Sequence, residues 1–254
     1  MAPGLAAAQP TSDGSDDYFP ERTLARWLQA QGRPQPVYAF APSGVRPLRA
    51  SYEHLAGTLH LDAVVPIDGG TDILLRGDES GLGTPEEDMT SLAALRQLDQ
   101  IPTRLVACLG FGIDAYHGVN HVQVLENIAA LTQTGTYLGA FSIPSDSPEA
   151  AAYLDAVHDA TTATPGRPSI VNGQIASALR GNAGDAQFTA RTAGGELFIN
   201  PLMGINFTFD LDGLANASAY LDSLAETPTR TQVALAIESY RYDVQTRARR
   251  QFPH

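Results

Sequence analysis

The residues best suited to chemistry in this sequence follow an apolar run at residues 63–67. They are Asp68-Gly69-Gly70-Thr71-Asp72 and, shortly afterwards, Arg76-Gly77-Asp78-Glu79. Two carboxylates in a cleft can divide the general acid and general base roles, because their mutual repulsion raises the pKa of one of them. The same pair could bind a divalent cation, or could simply cap the turns in which it lies. The glycine amides between them could stabilise negative charge that develops during a reaction.

A second candidate combines Asp114 with His117 and His121. If a helix begins by His117, the two histidines lie four residues apart on one face and could bind one metal ion. Asp114 would then be a third ligand, or would orient a catalytic imidazole. Cys108 lies inside an apolar strand, where a small core residue is expected rather than a nucleophile.

Together with polar residues at other predicted strand ends, these groups give two sets of candidates. The expected catalytic residues are Asp68, Asp72, Asp78, Glu79, Asp114 and His117. The expected substrate-binding residues are Ser43, Arg46, Gly69, Gly70, Thr71, Arg76, Asn172 and Arg191. In the expected scheme Asp72 or Asp78 is the general base and His117 is the general acid. Arg76 holds an anionic group of the substrate.

Short apolar runs that alternate with helical segments should position these residues. The runs cover residues 37–41, 63–67, 105–109, 137–143 and 169–171. This alternation predicts an α/β fold with a Rossmann-like, open and mainly parallel sheet and helices on both faces. Ligands bind such sheets beyond the carboxyl ends of the strands, where the polar clusters fall. Residues 200–224 and 232–249 are predicted to be helical, residues 1–17 to be a disordered leader, and residues 18–254 to be one domain.

The composition excludes several classes of protein. All 16 residues counted as Lys or Arg are arginines, so Schiff-base lysine enzymes, phosphate-loop NTPases and protein kinases are ruled out. Any anionic ligand must instead meet arginine, histidine, backbone amides or a metal ion. A net charge of −12 opposes binding to nucleic acid or to an anionic membrane. The single cysteine permits no internal disulfide, which favours the reducing cytoplasm.

Several motifs considered together resemble one family. They are Asp68-Gly-Gly-Thr-Asp72 with Arg76-Gly-Asp-Glu79, Gly81-Leu-Gly-Thr-Pro-Glu-Glu-Asp88, Cys108-Leu-Gly-Phe-Gly112 and Glu196-Leu-Phe-Ile-Asn-Pro-Leu-Met203. With these motifs, residues 18–224 resemble the domain-of-unknown-function 1152 family (DUF1152) of bacteria and archaea. The resemblance implies a Rossmann-like fold and no particular reaction. It also implies an extra strand and a glycine-rich, Asp-containing turn where this chain has its polar leader. If relatives bind a nucleotide or phosphate through that turn, this chain lacks the contact.

These features predict a small-molecule enzyme, a hydrolase or lyase that uses carboxylate and histidine acid–base chemistry in bacterial specialised metabolism. Two alternatives stay open. One is a non-catalytic module that binds a nucleotide or an acidic metabolite. The other is a metal-dependent enzyme that uses Asp114, His117 and His121 or the Asp68/Asp72 pair. The expected partner is a small molecule, with no nucleic acid and no membrane, and assembly into a homo-oligomer is compatible with the sequence.

Overall fold

The computed structural model describes residues 3–252 as a mixed α/β fold. Within that range the strands are β1 (Leu5–Ala8), β2 (Val37–Phe40), β3 (Ala63–Val64), β4 (Ile67–Asp68), β5 (Thr103–Cys108), β6 (Tyr137–Ser142) and β7 (Ile205–Asp210). β1 and β2 form a two-stranded antiparallel sheet. The other five strands form the central sheet, so the predicted α/β class is confirmed.

Four of the five central strands run in the same direction. β3 and β4 follow each other along one side of β5 and both pair with it in parallel. β7 lies between β5 and β6 and is antiparallel to both, so β5 and β6 share a direction. The carboxyl ends of β4, β5 and β6 therefore point to one edge of the sheet, and β7 begins at that edge.

The strand β7 replaces a helix that the sequence predicts over residues 200–224. That prediction is wrong for residues 205–210, because main-chain hydrogen bonds to β5 and β6, both distant in sequence, decide their conformation. Phe209 is fully buried in this position. A short 3-10 turn, Pro201–Gly204, precedes the strand, and Asn200 Oδ1 caps it by accepting from Leu202 N across 3.0 Å.

The described residues also form eight α-helices. They are α1 (Pro20–Ala30), α2 (Val45–Leu59), α3 (Pro85–Arg96), α4 (His121–Gln133), α5 (Pro148–Ala163), α6 (Ile170–Leu179), α7 (Leu211–Ala217) and α8 (Arg230–Asp243). The predicted strand at residues 169–171 is wrong, because the Ser169 side chain accepts from Asn172 N and starts α6. Among residues 3–252, no helix is both long enough and apolar enough to span a bilayer.

The N-terminal segment is ordered around β1. The expectation of a disordered leader is wrong for Leu5–Ala8, which pairs with β2 and buries Leu5 and Ala8. Arg22, only 5% exposed, holds the residues that follow. Its guanidinium donates to Ser12 O across 3.1 Å, to Ser15 O across 2.9 Å and to the Asp16 carboxylate across 2.7 Å. Strand pairing and these charge-assisted bonds order a stretch whose composition alone favours disorder.

Two hydrophobic clusters support the sheet. The larger one packs the sheet against α2, α3, α4, α7 and α8 through buried side chains such as Met89, Leu92, Val106 and Phe209. Cys108 belongs to it, as predicted, and burial raises the pKa of its thiol. The smaller cluster joins the loop after β5 to α6 and to the segment before β7 through Leu109, Ile113, Ile175, Leu197, Ile199 and Met203. It therefore anchors the loops at the carboxyl edge.

Candidate functional site

Four aspartates from separate parts of the chain come together at the carboxyl edge of the central sheet. They are Asp68 at the end of β4, Asp72 at the start of the 3-10 turn Asp72–Leu74, Asp88 in the first turn of α3, and Asp114 in the 3-10 turn Ile113–His117. Carboxylate oxygens of Asp68, Asp72 and Asp88 lie within 4.8 Å of one another. We call these four residues the carboxylate cluster.

Hydrogen bonds from neighbouring loops fix two members of the cluster. Asp72 Oδ2 accepts from Thr84 N across 2.8 Å and from Thr84 Oγ1 across 3.3 Å. Asp114 Oδ2 accepts from Thr71 N across 2.7 Å. Thr84 thus makes no capping bond of its own to α3 and instead ties the start of that helix to Asp72. The bonds hold the carboxylates in one place before any ligand arrives.

Two glycines let the backbone approach these carboxylates. A Cβ on Gly70 would lie 2.6 Å from Asp114 Oδ2. A Cβ on Gly83, whose φ is +68°, would overlap the Asp72 carboxylate. The absence of a side chain is therefore a packing requirement at both positions, and the positive φ adds a conformational one at Gly83.

Burial and mutual repulsion raise the pKa values in the carboxylate cluster. The pKa of Asp68 rises to about 9, first because of burial and then because of Asp88, Asp72 and Asp114. The pKa values of Asp88 and Asp114 both rise to about 7, again mainly through burial and then through neighbouring carboxylates. Without a counter-charge the cluster therefore retains protons at neutral pH.

Two buried polar atoms beside the cluster have no hydrogen-bond partner among residues 3–252. They are Asp68 Oδ2 and Thr71 Oγ1. Thr71 is fully buried, and its main-chain N–H donates to a cluster carboxylate. Buried polar atoms are normally paired, so a carboxylate oxygen left without a partner beside other carboxylates indicates a position where a cation or a donor fits.

The cluster opens into a cleft of about 420 Å³. Other side chains that line it are those of Thr84, Glu86, Glu87, Ile113, His117, Val171 and Arg230. His117 and Arg230 supply the basic groups of this lining, against six acidic residues. The Arg230 guanidinium is 51% exposed and lies 3.4 Å from both Glu86 and Glu87. The carboxylate cleft, as we call it, is strongly acidic and has one arginine fork at its rim.

A family model described as "Protein of unknown function (DUF1152)" matches residues 18–240. The chain belongs to this family. The match covers most of the chain and includes all four members of the carboxylate cluster. No curated protein and no solved structure matches the chain. The family assignment confirms the resemblance seen in the sequence motifs.

Part of the site predicted from the sequence is brought together in the carboxylate cleft. The predicted residues that line it are Asp68, Gly69, Asp72, Asp114 and His117. Gly70 and Thr71 lie in the same loop and contact Asp114. The loop after β4 and the loop after β5 meet here because their strands are parallel neighbours.

Asp78 and Glu79, expected to be catalytic, lie elsewhere and bind the C-terminal segment. Glu79 is fully buried. Its carboxylate accepts from Arg76 N, Gly77 N, Asn127 Nδ2 and Arg247 Nη2 at 2.6 to 3.0 Å. Asp78 pairs with Arg247 across 3.0 Å. With its oxygens committed to these donors, Glu79 holds structure together instead of facing the cleft.

Most of the expected substrate-binding residues are dispersed. Arg76 borders a separate cavity beside α4 and α7, and Arg191 donates to a main-chain carbonyl at residue 168 across 2.6 Å. Asn172 accepts from a tyrosine hydroxyl across 2.9 Å. Arg46 is exposed on α2. Ser43 lines a second cavity, which adjoins the carboxylate cleft.

His117 and His121 do not share a helical face, contrary to the prediction. His117 ends a 3-10 turn, Gly118 follows with a φ of +83°, and α4 begins at His121. The His121 ring packs 5.0 Å from the Phe111 ring, and burial followed by the nearby charge of Arg249 lowers its pKa. Among residues 3–252, the groups that are close enough together to share one cation are the carboxylates of Asp68, Asp72 and Asp88.

Sequence reasoning missed seven of the residues that line the cleft, and Asp88 and Arg230 are the two that matter most for its chemistry. Asp88 stands among three acids at the start of α3, where complementing the helix dipole is a sufficient explanation. Its one distinctive signal was its place in the Gly81–Asp88 motif. Arg230 lies far along the chain and carries no local signal, because only the packing of α8 beside α3 brings it to the cleft.

Proposed function

We propose that this protein is a divalent-cation-dependent hydrolase of a small molecule and that the carboxylate cluster is its catalytic centre. The observation that carries the proposal is the approach of Asp68, Asp72 and Asp88 oxygens to within 4.8 Å of one another at the edge of an open cleft. Sites in open α/β sheets lie at this carboxyl edge.

The electrostatics support a cation at this position. Three carboxylates at such distances repel one another, and this repulsion adds to burial in raising the pKa values of Asp68 and Asp88. A divalent cation would remove the repulsion and would give the unpaired Asp68 Oδ2 a partner. Ligand sets made only of carboxylates suit Mg²⁺ or Mn²⁺ better than zinc or copper.

Such a centre could catalyse hydrolysis. Asp68, Asp72 and Asp88 would hold the cation, and its charge would lower the pKa of a water molecule beside the cluster. A cluster carboxylate would accept the proton that this water loses. The water oxygen forms a bond to the electrophilic atom of the substrate, the bond to the leaving group breaks, and His117 at the rim can donate a proton to that group. Water is consumed, and no oxidant or reductant is needed.

A second candidate is the same chemistry without a metal, as a hydrolase or a lyase. The raised pKa of Asp68, about 9, favours this metal-free candidate. With that pKa, Asp68 carries a proton at neutral pH and could act as a general acid beside Asp72. A non-catalytic module for an acidic metabolite has less support, because an acidic cleft repels such a ligand unless a cation is present.

We also propose a Rossmann-like arrangement of the sheet, a cytoplasmic location and a small-molecule partner. The shared direction of β3, β4, β5 and β6 supports a Rossmann-like arrangement, from which the reversed β7 departs. The single cysteine supports a cytoplasmic location. The net charge of −12 supports a small-molecule partner over nucleic acid or membrane.

The test is Mn²⁺ binding measured by electron paramagnetic resonance, followed by hydrolysis assays with and without a chelator. We expect one Mn²⁺ per chain, with Asp72→Asn and Asp88→Asn each weakening binding at least tenfold. Asp99→Asn is the matched control, because its side chain is 94% exposed and lies outside the cleft. A hydrolysis rate that is unchanged in the presence of chelator would favour the metal-free candidate. Equal Mn²⁺ affinity in all four proteins would refute the cation site.

A further inference from the structure

A second cavity of about 210 Å³ adjoins the carboxylate cleft. Its walls include Phe40, Ser43, Leu48, Tyr52, Thr90 and Ser91, and we call it the aromatic pocket. The Phe40 and Tyr52 rings lie with centroids 4.7 Å apart at an angle of 48°. Burial is the largest cause of the raised pKa of Tyr52, so its hydroxyl stays neutral at physiological pH.

The aromatic pocket and the carboxylate cleft share one wall. Glu86, Glu87 and Arg230 line both cavities. The first two turns of α3 run between the cavities, with Asp88 on the cleft side and Thr90 on the pocket side. The two cavities are therefore neighbours, and Arg230 lies beside both of them.

We propose that the substrate is a phosphate ester with a planar ring, whose ring enters the aromatic pocket while its phosphate reaches the carboxylate cluster. This inference rests on the proposed hydrolase function and names the substrate class of that site. Ser43, an expected substrate-binding residue, then contacts the ring end of the molecule and not the reacting end.

A cation in the carboxylate cluster, together with Arg230, would favour a phosphate at the reacting end. A Mg²⁺ or Mn²⁺ ion held by a few carboxylates commonly completes its coordination with substrate phosphate oxygens. Arg230 is half exposed, and its contacts with Glu86 and Glu87 at 3.4 Å are long for ion pairs. Its guanidinium can exchange these contacts for two phosphate oxygens, which match its fork geometry.

The aromatic pocket favours a planar ring at the other end. Its volume suits one ring system and not a long chain, and its aromatic walls offer faces and edges on which a ring can pack. Hydroxyl groups of Ser43 and Thr90 at the wall can accept hydrogen bonds from polar ring atoms. The proposed reaction forms a bond between water oxygen and phosphorus and breaks the ester P–O bond. It yields inorganic phosphate and the ring-bearing alcohol, which takes the proton.

Paired ligands that differ in the ring test this proposal. We would measure the affinities of adenosine monophosphate against ribose 5-phosphate, and of phenyl phosphate against glycerol 3-phosphate, with Ca²⁺ replacing Mn²⁺ to slow turnover. We expect at least one ring-bearing member to bind about tenfold more tightly than its partner. Tyr52→Leu should abolish that preference without changing the affinity of the ringless ligands. Tyr38→Leu, a matched change on β2 at a residue that lines neither cavity, should preserve it.

The inference would be overturned if neither pair showed a preference for the ring-bearing ligand. It would also be overturned if Tyr52→Leu lowered the affinities of ring-bearing and ringless ligands equally. Phe40→Leu replaces Tyr52→Leu if the latter does not fold. Saturation-transfer NMR on the phenyl phosphate protons without metal tests the aromatic pocket alone. Mn²⁺ binding with turnover but no ring preference would refute the substrate class and keep the hydrolase proposal. Ring contact without Mn²⁺ binding would refute the cation-dependent hydrolase proposal and keep the aromatic pocket as a ring site.

Discussion

Arg247 Nη2 donates to Glu79 Oε1 across 2.8 Å, and this contact fastens the C-terminal segment to a fully buried carboxylate. The same guanidinium reaches Asp78 across 3.0 Å and Glu126 across 3.2 Å. Arg247 N also donates to Asp78 O. The segment after α8 therefore closes over the loop at residues 76–80 and the start of α4.

Replacing Arg247 by Ala should destabilise the protein by about 2–4 kcal/mol, because Glu79 would remain buried without its charge partner. The free energy of unfolding from urea denaturation measures this loss. Arg249→Ala is the control in the same segment, since within residues 3–252 Arg249 forms no ion pair. The double variant Glu79→Gln with Arg247→Met should recover part of the stability. Equal stability of Arg247→Ala and Arg249→Ala would contradict the structural role of Glu79.

The stability of the cation-free protein should fall as the pH rises. The pKa values of Asp68, Asp88 and Asp114 are raised in the folded state to about 9, 7 and 7, so between pH 4 and 9 the folded state binds more protons than the unfolded state. Each extra proton contributes a slope of up to about −1.4 kcal/mol per pH unit. Thermal denaturation at several pH values in chelator should show this fall, and Asp68→Asn should flatten it above pH 7. A stability that increases from pH 6 to pH 9 would count against the raised pKa values.

Substituting Gly83 by Ala should cost more than the same change at Gly118. Both glycines have positive φ, +68° and +83°, so both variants carry the backbone strain of about 1 kcal/mol. A Cβ at residue 118 meets open space, whereas one at residue 83 overlaps the Asp72 carboxylate. Of the two variants, only Gly83→Ala should weaken Mn²⁺ binding, by about tenfold. Identical Mn²⁺ affinities in the two variants would show that Asp72 does not depend on this close approach.

Arg230→Gln should strengthen Mn²⁺ binding about two- to fivefold, because it removes a positive charge from the lining of the acidic cleft. The same variant should raise the KM for a phosphate ester about tenfold, because the arginine fork is lost. Arg230→Lys keeps the charge, so its Mn²⁺ affinity should equal that of the unchanged protein while its KM still rises. A KM that does not change in either variant would exclude Arg230 from substrate binding.

The sequence predicted the elements that local patterns define. Apolar runs at residues 37–41, 105–109 and 137–143 predicted β2, β5 and β6. It failed where distant partners decide the conformation. β7 depends on hydrogen bonds to strands on both sides, and β1 depends on β2. Ser169 was interpreted as part of a strand although its hydroxyl is a helix cap.

The candidate site was predictable only where it follows a strand. Asp68 ends β4, and Asp72 and Asp114 lie in the loops that follow β4 and β5, so the rule for carboxyl ends finds them. Asp78 and Glu79 have the same composition and a nearby position, but their partner Arg247 lies about 170 residues away and gives no local sign. Asp88 resembled an ordinary first-turn acid until the orientation of α3 brought it beside Asp72.

The reversed direction of β7 brings one more segment of the chain to the carboxyl edge of the sheet. In a sheet whose strands all share one direction, the loops that leave the strands form the binding edge. Here the segment that enters β7 reaches that edge as well: Asn200 Nδ2 donates to Phe111 O across 2.9 Å, and Gly195 lies against Tyr116. Insertions at the exposed residues 193–196 would therefore reshape the loop beside Tyr116 while every strand register stayed the same. The entrance to the carboxyl edge can therefore change in shape while the sheet stays the same.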